Sequence, residues 1–180
     1  TGVGRSGTQY LSALLKRLGF RVSHDTKPPG EAGAVSWVWA FNDMKAPFPN
    51  FTHTLPEEMH KKRFKKVFLQ ARSPLKVITS RITGGLGEPF IDANTAVSRE
   101  KNPYTLQRSL EHYLTWNTHI MRIADWTFRI EDVDIVELCQ RAGWPNCPTA
   151  SQVAEAKASL PTSQHHRVHK DFSWNDCKQT

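Results

Sequence analysis

Apolar and polar positions change period several times along the chain, and each change predicts an element. Between residues 8 and 18, Tyr10, Leu11, Leu14, Leu15 and Leu18 recur at three- and four-residue spacing while Lys16 and Arg17 fall off the stripe. That pattern predicts an amphipathic helix closed by Gly19. Residues 20–22 then read as a short strand running into Ser23, His24 and Asp25. A Pro/Gly-rich connection at 27–33 leads to the aromatic block SWVWAF at 36–41, which suits either a buried helix or a buried strand. Pro47, Pro49 and Pro56 mark a surface loop. Residues 67–71 are β-prone and run straight into Arg72-Ser73-Pro74, where Ser caps a helix and Pro occupies its first turn. After a long polar connection, Leu106, Leu110, Tyr113, Leu114, Asn117, Ile120, Met121 and Ala124 mark the longest helix. A strand at 126–130, a helix from about 134 to 142 stopped by Gly143 and Pro145, and a short helix at 151–160 follow. Short apolar strands alternating with helices predict an α/β fold with a parallel sheet.

Composition narrows the class. With 180 residues and 38% hydrophobic content the chain suits one domain, 1–180, with a sizeable core. Lys and Arg outnumber Asp and Glu by 24 to 17, a net charge of +7, so a surface or cleft should attract anions. The run at 61–66 contributes to that excess but, with Phe64 alone among its basic residues, largely lacks the interleaved aromatics of a nucleic-acid surface. Three cysteines, Cys139, Cys147 and Cys177, form no CxxC pair; the odd count argues against a complete disulfide framework and favours a reducing, cytoplasmic setting. No run of about twenty apolar residues predicts a membrane span. His165, His166, His169 and Cys177 match no zinc spacing, so no metal site is expected.

The chemistry concentrates in the opening stretch, GVGRSGTQY at 2–10. Successive N–H groups in a Gly-Arg-Ser-Gly-Thr turn converge on one point, and the helix behind adds the positive end of its dipole, so an oxyanion is the natural occupant. Gly4 and Gly7 let the backbone approach; Ser6, Thr8 and Gln9 add side-chain donors; Arg5 adds a permanent charge with bidentate reach. A nucleotide triphosphatase would need Gly-Lys-Ser/Thr here and a magnesium-binding Asp after an apolar strand, and neither is found. A phosphate loop also normally follows a buried strand, whereas only Thr1-Gly2-Val3 precede Gly4; the first strand is expected to be cut short and the sequence N-terminally incomplete.

A second cluster pairs with the first. Arg72 ends a strand and Ser80 follows eight residues on, within ARSPLKVITSR. Together, in this order and spacing, Arg5-Ser6-Gly7-Thr8-Gln9 and Arg72-Ser73-Pro74 with Ser80 resemble the sulfotransferases that use 3′-phosphoadenosine-5′-phosphosulfate (PAPS). The likeness extends over most of the chain, including Arg129 to Asp132 and, more loosely, the C-terminal stretch at 166–174.

The resemblance implies a three-layer P-loop-like fold with a short central parallel sheet flanked by helices. Residues 4–9 would hold the 5′-phosphosulfate, Arg72 and Ser80 the 3′-phosphate, with Arg167 in the last contacting segment and Tyr10 either stacking on adenine or packing in the core. It implies sulfuryl transfer to a hydroxyl or amine of a small-molecule, saccharide or lipid acceptor, with no metal and no nucleic acid. Arg5 would stabilise charge on the leaving phosphate, and Asp25, with His24 nearby, would serve as general base. Arg5 stands where cytosolic members carry lysine. The competing expectations are a P-loop-type small-molecule kinase and a non-catalytic nucleotide- or polyanion-binding module. The whole reading requires the guanidinium of Arg72 to turn toward the opening loop.

Overall fold

A computed structural model of the chain describes residues 1–24, 31–35, 64–84 and 106–161. In chain order it contains α1 (Thr8–Arg17), β1 (Val22–His24), β2 (Gly33–Val35), β3 (Phe68–Ala71), α2 (Pro74–Gly84), α3 (Leu106–Met121), β4 (Trp126–Arg129), α4 (Ile135–Ala142) and α5 (Ala150–Ala158). The fold is mixed α/β, as the alternation of periods implies. The aromatic block at 36–41 and the C-terminal stretch at 166–174 lie outside the described residues.

The parallel pairing is present, but the described strands form two parallel pairs rather than one continuous sheet: β1 with β2, and β3 with β4. The expected first strand has a counterpart. The Thr1 amine donates to the Phe68 carbonyl at 2.6 Å and the Gln70 N–H donates to the Thr1 carbonyl at 2.6 Å, so residues 1–3 run beside β3. Val3, fully buried, joins Leu69, Val77, Trp116 and Ile120 in one apolar cluster between β3, α2 and α3. A second cluster gathers Leu11, Leu14 and Leu15 of α1 with Phe128, Ile135, Leu138 and Val153. Leu14 and Leu15 are almost wholly buried, and each such side chain contributes about 1.5–3 kcal/mol relative to exposure.

Two expectations are corrected. The buried face of α3 carries Ser109, His112, Trp116 and Ile120, while Leu114 and Met121 are exposed. Three- and four-residue spacing admits either phase; the bulk of Trp116 and the polar pair Ser109–His112 went inward and displaced the leucine stripe. Second, Cys139 and Cys147 are joined by a disulfide with Cα atoms 5.6 Å apart. The bond closes the loop after α4, where Gly143, at φ 68°, ends the helix in the left-handed region and turns the chain back. The cysteine argument for a reducing, cytoplasmic setting loses its premise. Among the described residues no helix is long and apolar enough to cross a membrane.

Candidate anion-binding site

The opening turn is built on two left-handed residues, Arg5 at φ 74° and Gly7 at φ 90°. Glycine adopts that region freely; arginine does so at a cost, which marks Arg5 as held by its surroundings. The Ser6 N–H closes the turn onto the Val3 carbonyl at 2.9 Å. Below the turn, Gly2 has no room for a side chain: a Cβ there would stand 2.4 Å from Ser6 Oγ and 2.5 Å from the Gln70 carbonyl.

Carbonyls of the turn are tied back toward the protein. Gln70, buried on β3, donates Nε2–H to the Ser6 carbonyl at 2.7 Å. Arg81, on the inner face of α2, donates from Nε and Nη2 to the Gly4 carbonyl, both at 3.3 Å. In a trans peptide the C=O and the next N–H point in opposite directions. Anchoring the Gly4 and Ser6 carbonyls inward therefore aims the N–H groups of Arg5 and Gly7 the other way. At the start of α1 the first-turn N–H groups have no intrahelical acceptor, and no side chain caps them. The result is a concave run of donors at a positive helix end.

The second cluster meets this turn directly. The Arg72 guanidinium donates Nη1–H to the Arg5 carbonyl at 2.9 Å, so it points at the opening loop. Arg5 in turn donates Nε–H to Ser80 Oγ at 2.9 Å across 75 residues of sequence. Arg72 is held by its own supports: Tyr113 Oη donates to its carbonyl at 2.8 Å, and the next N–H, of Ser73, donates to Glu131 Oε1 at 2.9 Å. Burial lowers the Arg72 pKa, the Glu131 carboxylate opposes that change, and the charge of Arg5 adds to it. The β3–β4 register explains the arrangement. Ala71 pairs with Arg129, so the turn after β3 and the segment after β4 lie side by side and bring Glu131 to Ser73.

The remaining site residues divide. His24, at the end of β1, places Nε2 3.3 Å from Thr8 Oγ1 and so stands beside the first turn of α1. Gln9 is exposed on that turn. Ser6 faces inward: its hydroxyl is fully buried and has no hydrogen-bond partner among the described residues, so the side-chain donor expected at position 6 is turned away from solvent. Tyr10 packs, half-buried, against the α1 core cluster, and burial raises its pKa. Asp25 and Arg167 lie outside the described residues. Among the described residues no three His, Cys, Asp or Glu side chains are grouped so as to hold a metal ion.

Sequence reasoning passed over Gln70, Arg81, His112 and Tyr113. Arg81 did carry a signal, since it lies four residues beyond Val77 and three beyond Ile78, on the apolar stripe of α2. Gln70 carried none beyond its place in an apolar strand.

The guanidiniums of Arg72 and Arg81 thus converge on carbonyls of one backbone turn, and the turn's own Arg5 reaches across to Ser80. Such a donor set fits a ligand with several anionic oxygens. No family model, curated protein or solved structure matches the chain.

Proposed function

We propose that the chain binds a bis-anionic adenosine nucleotide across the opening turn and the β3–α2 junction, and acts as a PAPS-dependent sulfotransferase on a three-layer P-loop-like fold. The observation that carries the reading is the contact between the two clusters. Arg72 reaches the Arg5 carbonyl and Arg5 reaches Ser80, so groups 75 residues apart frame one site. The opening turn, with Arg5, takes one anionic end of the nucleotide; Arg72 and Ser80 take the other.

PAPS would supply the sulfuryl group and a leaving phosphate. The chain's own residues do the rest. Turn N–H groups and Arg5 hold oxygens on which negative charge grows during transfer, an electrostatic role of the oxyanion-hole kind. Arg72 and Ser80 grip a phosphate remote from the reacting centre, so that binding energy is converted into alignment. Asp25, or His24 beside Thr8, would accept the proton from an acceptor hydroxyl. The acceptor belongs to the class of alcohols, amines, saccharides or lipid headgroups.

Calorimetric titration with 3′,5′-adenosine bisphosphate and with ATP tests the nucleotide assignment. The bisphosphate should bind at least about tenfold more tightly, a difference of about 1.4 kcal/mol. Equal affinities would overturn the reading. Transfer of labelled sulfate from PAPS to a panel of alcohols, saccharides and lipids tests the reaction, and His24→Ala should lower turnover while sparing nucleotide affinity.

A further inference from the structure

Arg81 is 1% exposed, and among the described residues its hydrogen bonds go to neutral acceptors. Two go to the Gly4 carbonyl; the third, from Nη1, goes to His112 Nδ1. His112 is itself fully buried on α3, and burial with the adjacent Arg81 charge holds its pKa well below the ordinary range, so it accepts as a neutral ring. Ser109, Trp116 and Val77 are buried around the same α2–α3 contact. Among the described residues no carboxylate touches the guanidinium, and the charge of another cation, Arg5, acts on it. Burial and that repulsion bring the Arg81 pKa down to about 9.

A buried cation without a counter-ion is costly, and proteins normally pair such groups or exclude them. Nothing in the packing of α2 on α3 requires a charge here, since an apolar residue would continue the stripe from Val77 and Ile78. The charge lies directly behind the peptide that orients the anion-binding turn.

We propose that Arg81 is a buried positioning charge for the opening turn: it fixes the Gly4 carbonyl inward and selects a ligand that places a multiply charged anionic group against that turn. The inference rests on the reading of the turn as an anion site. Arg81 never touches the ligand. It acts through the Gly4 peptide, whose orientation aims the Arg5 N–H outward, and through its field, which crosses a thin, water-poor layer and is screened little. An anion at the turn then supplies a counter-charge that none of the described residues provides. A ligand lacking charge at that end gains nothing from Arg81, even when its other end is held by Arg72 and Ser80.

The test is a set of titrations with 3′,5′-adenosine bisphosphate and with 3′-AMP, which carries a hydroxyl in place of the 5′-phosphate. Arg81→Gln keeps an amide donor for the Gly4 carbonyl but removes the charge and the contact to His112; Arg81→Lys keeps the charge. The expected result is a loss of about tenfold in bisphosphate affinity for Arg81→Gln, 3′-AMP affinity within about twofold of wild type, and most of the loss restored in Arg81→Lys. Should Arg81→Gln fail to fold, Arg81→Met, with its apolar stem, takes its place and carries the same expectation. Unchanged bisphosphate affinity on loss of the charge would overturn the inference, as would an equal loss for both ligands, the mark of a merely structural role. If wild type binds neither ligand, the anion reading of the turn fails and this inference fails with it; if wild type prefers the bisphosphate while the variants do not differ, this inference alone fails.

Discussion

The opening turn and the α4–α5 layer lie in one chain and are built by opposite rules. In the α4–α5 layer each helix end is satisfied locally. Asp134 accepts the N–H groups of Val136 and Glu137 at 2.8 and 3.2 Å; Gly143 ends α4 in the left-handed region; Thr149 and Gln152 form a reciprocal capping box on α5. Glu137 and Arg141 pair along α4 at 2.8 Å, and a disulfide closes the loop between the helices. At the opening turn the same chain leaves α1 without a side-chain cap, places an arginine at φ 74°, buries the Ser6 hydroxyl without a partner among the described residues, and gathers three guanidiniums. The departures from local rules gather around one turn, and that is why the proposed function is assigned there.

The largest expected effect separates the two regions by what they lose. Arg72→Ala should weaken 3′,5′-adenosine bisphosphate binding about a hundredfold, in line with the loss of charge-assisted hydrogen bonds to a phosphate. The unfolding midpoint without ligand should change little, because relief of the desolvation of Arg72 and of its repulsion by Arg5 offsets the lost hydrogen bond to the Arg5 carbonyl. A fall in stability with affinity intact would erase the distinction between the regions.

The complementary change lies in the layer of satisfied ends. Replacing Cys139 and Cys147 together by Ser opens a loop of eight residues' separation, for which loop-closure entropy gives about 2–3 kcal/mol of lost stability in denaturant titration. Nucleotide affinity should stay as in wild type. Thr149→Ala removes the side-chain half of the capping box and should cost about 1 kcal/mol by the same measurement, again without effect on binding. If either change altered affinity as much as Arg72→Ala, the C-terminal layer would belong to the site.

The same contrast decides what could be read from sequence. Elements governed by local rules were legible: α1 with its glycine stop, α4 from Asp134 to Gly143, α5, and the strand-to-helix turn at Arg72. The phase of α3 was not, because Leu110, Leu114 and Met121 compete with Ser109, His112 and Trp116 for the inner face, and tertiary packing settles the choice. Strand bounds also moved, the first from 20–22 to Val22–His24. The disulfide escaped because a count of three cysteines says nothing about which two meet. At the site, Arg5, Arg72 and Ser80 were legible from motif spacing. Gln70, Arg81 and Tyr113 were not, since each acts through a backbone carbonyl more than 40 residues away in sequence, the first two on the opening turn and Tyr113 on Arg72.

The smallest expected effect concerns a carboxylate that bridges the turn after β3 and the segment after β4. Glu131 accepts the Ser73 N–H at 2.9 Å and stands 3.9 Å from Arg129. Burial alone would raise its pKa; that hydrogen bond, the charges of Arg129 and Lys76, and its own N–H together outweigh burial and hold it below its usual value of 4.5. A group with a depressed folded-state pKa contributes stability that is present above its unfolded pKa and is lost as pH falls through the folded one. Wild type should therefore exceed Glu131→Gln in stability at pH 6, and the gap should close as the pH is lowered below about 4.5. Solvent screening keeps the gap small. Because Ser73 follows Arg72 directly, protonating Glu131 also loosens the turn that aims the guanidinium, so bisphosphate affinity at low pH should fall further in wild type than in Glu131→Gln. Parallel pH dependences of affinity in the two proteins would show that Glu131 supports the fold but does not position Arg72.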